Sequence, residues 1–537
     1  MEKPKKATRV IGLAIGIAAF FYIAAVVLCI GAFSVEGVMT RTWPFLDLAR
    51  SFEVEYLVFE RFESLLLSIW IMQIFATFSI AFYCASLGVS QILNRSYSAI
   101  LFILLPAIYI LSQIPKNLNE LFSFGAVMKR VRLGLLGISA LLICSTLSGC
   151  WSSSPVEDLN LETGIAMDVA QKSSQEEQLN QKGGYYPKKE LIKGTFQFIV
   201  PEENKSSGSS PSQTKKFYNI TETGDSVFEM LREISLRTNR PPIGFHLKTV
   251  IISSSLLRKV PLYELLDFFL RDNDIRPSVQ LLISTDEAGD ALQEKIPGQT
   301  PAFILKDIFV NRKRNSRMLR PVSLAKVIGP MKANRSFLLP NVITTESEVK
   351  IAGAGIIKGK AQTYGGFLNE SEVEGLMWIK GELKGGLLKD IDHKTGKNMA
   401  YEIKSTKSRI KAIVQGDDIS FRVRMTSEGR ISENFNPNEA LGNNRLLGRL
   451  ESIFQGKANS LAEQTVAKMH KLRVDVGGFG EALRIQHPKV WRKVKKDWDT
   501  TFSTIPVQFS TDIHIEDYGA SNTTADWHTT KAASSGG

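Results

Sequence analysis

A cysteine stands at position 150, directly behind Leu147-Ser148-Gly149 and at the end of an apolar run from Leu133 to Leu147. The run is introduced by a basic cluster, Lys129, Arg130 and Arg132. A basic n-region, a short apolar h-region and small residues before a cut are the parts of a secretory signal. A cysteine at the cut makes it the lipoprotein version, in which the thiol is alkylated by diacylglycerol and becomes the new N-terminus. The competing reading is a fourth membrane helix that ends in a cysteine by chance. Its apolar core would be about fifteen residues, short of the roughly twenty that a spanning helix needs. Cys150 is also the only cysteine from 150 to 537. We therefore read a lipobox, with Cys150 as the lipid attachment site, and it divides the chain.

The segment in front of the signal reads as membrane protein. Val10 to Phe33 is nearly uncharged and long enough to span, as is Ser64 to Val89; Ser98 to Ser112 is shorter and becomes plausible with Tyr97 and Ile114 included. About three transmembrane helices are thus expected in residues 1–127. Topology then conflicts with export. Lys3, Lys5, Lys6 and Arg9 place the N-terminus inside. Three spans would deliver Lys129, Arg130 and Arg132 outside, yet they must stay inside for Cys150 to cross. Either one span is not a span, or the chain joins two once-separate proteins.

Charge adds little. Of the net +12, residues 150–537 carry +8, a mild basic excess that suits anionic lipid or wall polymer and equally suits a solvated surface. No nucleic-acid partner is expected. Cys29, Cys84 and Cys144 lie in apolar segments, where an inert buried thiol is the default. The six histidines show no ligand spacing, so neither a metal site nor a disulfide framework is expected in the exported part.

Residues 150–537 are too long for one ordinary domain. Residues 171–190 and 202–216 are rich in Ser, Lys, Gln and Gly and read as loops flanking a strand, Leu191–Val200. Asp225-Ser226 can cap a helix carrying Val227, Phe228, Leu231, Ile234 and Leu236. Val250-Ile251-Ile252 reads as a buried strand, Leu262–Leu270 as a helix with Leu265, Leu266 and Phe269 inward, and Val279–Ile283 as another strand. A helical stretch near 300–330 is expected to end at Gly329-Pro330, which sets a first domain at 150–330 and a second region at 331–518.

The second region is richer in strands. Ile419, Phe421, Val423 and Met425 alternate up to an expected turn at Glu428-Gly429. Ile505, Val507, Phe509, Thr511, Ile513 and Ile515 alternate behind Pro506, which suggests an edge strand. Between them Leu450, Phe454, Ala458, Leu461, Thr465, Met469 and Leu472 mark one face of a long helix. A further helix starting at Pro488 would stack Trp491, Val494 and Trp498 on one side, as core packing. The fold class is α+β: twisted sheets covered by helices on one face. The tail 519–537, rich in Ser, Thr, Ala and Gly, is expected to be disordered.

These pieces carry a resemblance. Ala458-Asn459-Ser460, then Asp475-Val476-Gly477-Gly478-Phe479-Gly480-Glu481, His487-Pro488 and Trp491 to Trp498 resemble the C-terminal signature of the Ger(x)C, or GerAC-type, family. Cys150-Trp151, Thr163 to Asp168, Gly224 to Phe228, Gly375 to Ile379 and Glu428 to Ile431 fit the same pattern, over roughly 128–518. The family usually has an Asp after the Trp and another acid a little further on; Ser152 and Pro155 stand there instead. Members of that family are the lipoprotein C subunits of bacterial spore nutrient-germinant receptors, and residues 1–127 separately resemble the last part of the B subunit of the same receptors, similar to amino-acid/polyamine/organocation transporters. Arg61-Phe62-Glu63-Ser64-Leu65 and Pro115-Lys116-Asn117 carry that likeness. The family would have one more span there, so the chain resembles a truncated B subunit joined to a whole C subunit. Substrate-binding broken helices of that fold lie in its first half, so no ligand site is expected in residues 1–127.

The resemblance implies a non-enzymatic lipoprotein subunit of a spore nutrient-germinant receptor, on the outer face of the spore inner membrane with A and B subunits. It implies no cofactor beyond the diacylglycerol and fatty acyl lipid on Cys150, and it leaves the ligand unnamed. The residues agree in what they lack: no catalytic motif is present, and Gly477-Gly478-Phe479-Gly480 has no Lys-Ser/Thr of a phosphate loop and reads as a tight turn. Asp417-Asp418 and Glu516-Asp517 border strands, where neighbours point to opposite faces. Two alternatives remain open: a solute-binding lipoprotein associated with an amino-acid transporter, with two lobes around a cleft, and a wall-modifying hydrolase, with paired acids or a nucleophile.

Overall fold

The computed structural model describes residues 4–39, 44–51, 62–93, 95–112, 158–171, 174–184, 186–189, 191–200, 216–394, 396–434 and 444–517. The lipobox residues Leu147, Ser148, Gly149 and Cys150 lie outside them. So do Lys129, Arg130 and Arg132, the neck residues Ser152 and Pro155, and the tail 519–537.

Among the described residues four helices come first: α1 (Pro4–Met39), α2 (Pro44–Ser51), α3 (Phe62–Leu93) and α4 (Tyr97–Ser112). Among the described residues one helical stretch, Ile71–Gln91 in α3, is long and apolar enough to cross a membrane; a shorter apolar stretch, Ala19–Val35, lies in α1. The helix α4 holds Pro106 inside it and at ~1.5 Å per residue is ~24 Å long, less than the ~30 Å of a hydrocarbon core.

The apolar run Val250-Ile251-Ile252 has no polar alternation, so its strand must be covered on both faces. It becomes part of β5 (Thr249–Ser253), every residue of which is buried. The strands β1 (Asn160–Val169), β5, β6 (Gln280–Ser284) and β7 (Phe337–Thr344) pair in parallel at the centre of a sheet. Antiparallel flanks complete it, β2 (Ile192–Ile199) and β3 (Phe217–Gly224) on one side, β8 (Val349–Ile357) and β9 (Tyr364–Leu368) on the other. The short β4 (Pro242–Ile243) pairs with β1.

Parallel pairing requires crossovers, and these supply the covering helices. The helix α5 (Ser174–Gln181) lies in the antiparallel β1–β2 connection, and the crossovers hold α6 (Val227–Ile234), α7 (Ser254–Leu257), α8 (Leu262–Arg271), α9 (Pro301–Asp307) and α10 (Leu324–Lys332). One core packs Ile165, Ile252 and Ile283 against Met230, Leu266 and Val327; the other packs Ala166, Ile251 and Leu282 against Leu292, Ala302 and Leu305. Coverage of this sheet is therefore two-sided, not the one-sided coverage expected.

The second sheet runs β10 (Leu387–Asp392), β11 (Lys397–Gln415), β12 (Asp418–Asn434) and β13 (Val507–Asp517). Among the described residues one face alone is covered here, by α11 (Glu370–Lys380), α12 (Asn444–Leu472), α13 (Phe479–Gln486), α14 (Pro488–Val494) and α15 (Trp498–Phe502). Its core buries Phe421, Val423 and Met425 beside Leu450, Phe454, Ala458 and Met469, and takes in Ala354, Ile356 and Leu368 from β8 and β9. The strand β13 is at the edge, as Pro506 suggested.

Four local expectations are corrected. Gly329-Pro330 lies inside α10, where helical bonding resumes beyond it from Ala333 N–H to the Gly329 carbonyl, and the first sheet continues to Leu368. Glu428-Gly429 lies within β12 at a register shift, not at a turn. A Cβ at Gly429 would meet the Tyr401 ring at 2.6 Å, so glycine is there to let an aromatic lie over the strand. The helix from Pro488 breaks at Lys495–Asp497 before α15 begins. Finally, α6 buries Val227, Met230 and Ile234 and leaves Phe228 and Leu236 exposed.

Candidate functional site

The family signature closes on a single carboxylate. Asp475 Oδ1 accepts backbone N–H bonds from Gly477 at 3.0 Å, Gly478 at 2.9 Å and Phe479 at 3.2 Å. Its Oδ2 accepts from Gly480 N–H at 2.6 Å and from the Trp498 indole Nε1–H at 2.8 Å. A helix begins with unpaired N–H groups and a positive dipole end, so an acid just before α13 satisfies both. Gly478 adopts φ +92°, a conformation that side chains disfavour, and a Cβ at Gly480 would come within 2.5 Å of the Trp498 indole nitrogen. The donors that could have cradled a phosphate are thus already held by the chain's own acid. Trp498, buried, meets Trp491 edge-on at 5.3 Å and Phe421 at 6.3 Å between ring centres.

The hub is wired outward by Asp499. Its Oδ1 accepts from Asp475 N–H at 3.0 Å, and its Oδ2 accepts from the Ser336 hydroxyl at 2.6 Å. Ser336 Oγ in turn accepts from Gly359 N–H at 3.0 Å. Burial pushes the Asp499 carboxyl above its ordinary range, against the lowering effect of the bonds from Ser336 and Asp475 N–H. Glu481, the last signature acid, bridges Arg335 at 3.2 Å and Arg484 of its own helix. Asp475, Gly477, Gly478, Phe479, Gly480, Glu481, Trp491 and Trp498 therefore meet in one structural knot.

The first sheet holds three acid sites that the sequence reading missed. Asp168, at the end of the Thr163–Asp168 pattern, accepts from Ala288 N–H at 2.8 Å and Gly289 N–H at 2.9 Å, pinning the turn that follows β6. Lys188, from a segment read as loop, lies buried between Glu176 at 3.0 Å and Glu222 at 2.7 Å, and Arg237 pairs with Glu222. Burial raises the Glu222 carboxyl despite the bond from Lys188 and the nearby Arg237 charge. Such a buried network is costly to break rather than strongly stabilising. Glu162 is fully buried on β1, and burial first, then the charge of Asp272, raises its carboxyl to about 8. No spacing rule marks these residues, because strand partners distant in sequence create their surroundings.

The acid pairs behave as strand ends. Asp417 and Asp418 stand exposed at the tip between β11 and β12, and Glu516 bridges Lys404 at 2.8 Å. Among the described residues no cluster of three or more His, Cys, Asp or Glu could hold a metal ion.

A doubly covered mixed sheet followed by a second, singly covered sheet with an acid-held glycine turn defines a two-part α+β protein. Residues 152–344 match the spore germination protein N-terminal domain, and residues 352–519 match the "Spore germination B3/ GerAC like, C-terminal" family. Residues 1–121 match the spore permease family of spore germination proteins.

The chain belongs to the GerAC-like spore germination family, with a permease-like part fused in front. It is 40% identical over 405 residues to spore germination protein YndF of Bacillus subtilis (strain 168), covering 74% of this chain and 99% of that one. Its permease-like part is 52% identical over 143 residues to spore germination protein YndE of the same organism, 27% of this chain but 39% of YndE. The crystal structure of the GerBC protein is 25% identical, with a TM-score of 0.45 over 60% of this chain and 93% of that one.

Proposed function

We propose that residues from Cys150 onward form the lipid-anchored, non-enzymatic C subunit of a spore nutrient-germinant receptor. The subunit stands on the outer face of the spore inner membrane and assembles with A and B subunits. Residues 1–127 are the end of a B-type, permease-like subunit. The observation that carries this reading is the match to YndF over 99% of that protein's length. The match takes in 74% of this chain, more than residues 150–537 alone hold, so it reaches into the sequence with the form of a lipoprotein signal. A division of the exported part into two regions is in keeping with the two family segments, residues 152–344 and 352–519.

Anchoring is the test. A diacylglycerol and a third acyl chain on the new amine hold a protein stably at a bilayer, whereas one chain is marginal. Cys150→Ala is expected to leave an uncleaved precursor, to abolish incorporation of labelled palmitate, and to reduce the spores' germination response to nutrients. Unchanged labelling in the variant rules out Cys150 as the attachment site; full labelling loss with an unchanged germination response rules out the receptor role.

A further inference from the structure

The open face of the second sheet is divided by charge. On the face away from the helices, β11 presents Lys407, Arg409 and Lys411, and β12 presents Arg422 and Arg424, all exposed. Register sets Arg409 directly opposite Arg424 and Lys411 directly opposite Arg422. Side chains opposite each other on one sheet face are close neighbours, and like charges there destabilise the pair. Two such pairs in succession therefore work against the fold that carries them. One acid lies among them, Asp512 of β13, which bridges Arg424 at 2.8 Å while both side chains stay mostly exposed. Other exposed acids lie toward the ends, among them Asp417 and Asp418 at the hairpin tip, and at the far end Glu402 and Glu516, bridged to Arg430 and Lys404, and Glu428, which accepts from the Ser405 hydroxyl at 3.2 Å. The alternate residues Ala412, Phe421, Val423 and Met425 are core, so the face cannot turn inward to hide its charge.

We propose that this basic sheet face docks on the phosphate surface of an anionic bilayer, the same membrane to which the lipid on Cys150 would tether it. The proposal rests on the membrane-anchored reading above. Charge complementarity carries it. Long cationic side chains on a broad sheet face present their charges side by side, matching a layer of headgroup phosphates, and basic residues near such a surface are each attracted to it. A tether to the bilayer keeps the face within reach, so weak contacts suffice.

The full chain, reconstituted in vesicles of phosphatidylcholine alone or with phosphatidylglycerol, is treated with an amine-acylating reagent and mapped by mass spectrometry. Lys407 and Lys411 are expected to react several-fold more slowly on the anionic vesicles and to recover at 1 M salt, where charges are screened within about 3 Å. The exposed Lys182 and Lys259 of the first sheet's domain serve as references and should not change. The triple variant Arg409→Gln, Arg422→Gln, Arg424→Gln should lose most of the protection. Equal reactivity on both vesicles, with the chain floating in both, overturns docking and leaves anchoring intact. Failure to float with either vesicle overturns the anchored reading and docking with it. Protection by soluble polyphosphate but not by anionic vesicles identifies a free polyanion and also overturns the proposal.

Discussion

At Asp475 two carboxylate oxygens receive five N–H donors, four from the backbone and one from Trp498. A carboxylate is suited to this because it only accepts, with about four lone-pair positions. The substitution Asp475→Asn replaces one oxygen by an NH2 group. Whichever way the amide turns, donors then face donors, either at Gly480 and Trp498 or at the three amides on the other side. Each buried donor left without a partner costs ~1–3 kcal/mol, so the variant is expected to lose ~2–4 kcal/mol of stability in the C-terminal unit. Thermal melting followed by tryptophan fluorescence checks this, since Trp498 itself reports the knot. A variant that melts with the wild type would show that the glycine turn is held by something other than its acid. The tight turn at Gly477-Gly478-Phe479-Gly480 was legible. Trp498 as fifth donor was not, because nothing in the spacing shows that the chain folds back across the turn.

Among elements, the crossing of α11 and α12 depends on a missing side chain. A Cβ on Gly375 would overlap the Thr465 hydroxyl and the Leu461 carbonyl, and Thr465 Oγ1 also bonds the Glu372 carbonyl at 3.0 Å across the crossing. Backbone atoms cannot step aside as a side chain can, so Gly375→Ala is expected to cost at least ~1–3 kcal/mol, the range for overpacking a filled core. A melting temperature equal to wild type in the purified chain would refute the close crossing. Strongly periodic elements were readable at this scale: the face of α12 from Leu450 to Met469 is buried where its spacing placed it. What escaped were features set by neighbours. Pro330 continues a helix, Gly429 lies inside a strand and leaves room for Tyr401, and the helix from Pro488 breaks before Trp498, which reaches Asp475. In each, a residue with a local meaning as a breaker was serving a tertiary contact. The edge of β11 is a similar case: Gln486 of α13 accepts from Ala412 N–H at 2.9 Å and donates to the Ile410 carbonyl at 2.8 Å. A side-chain amide there stands in for a neighbouring strand, and it blunts an edge open to pairing.

The whole molecule joins what in Bacillus subtilis are two proteins, since YndE resembles its first part and YndF its second. Electrostatics makes that junction a point of conflict. Lys129, Arg130 and Arg132 must remain in the cytoplasm if Cys150 is to be exported, whereas three spans starting from an inside N-terminus would carry them outside. Cations on the far side oppose the bias that orients membrane segments. Two arrangements remove the conflict: translation that starts independently at Met128, or a short α4 that does not cross. The ~24 Å length of α4 and its internal Pro106 are in keeping with the second. Both arrangements end in cleavage before Cys150, so the mature lipoprotein should not carry residues 1–127. With one epitope tag at the N-terminus and another behind Gly537, membranes are expected to yield separate bands, the C-terminal one near the size of residues 150–537. Its first residue, read by intact mass, should be a lipid-modified Cys150. A single lipid-free band bearing both tags would mean that the permease-like part and the exported part act as one polypeptide, and that the signal at 128–149 is never processed.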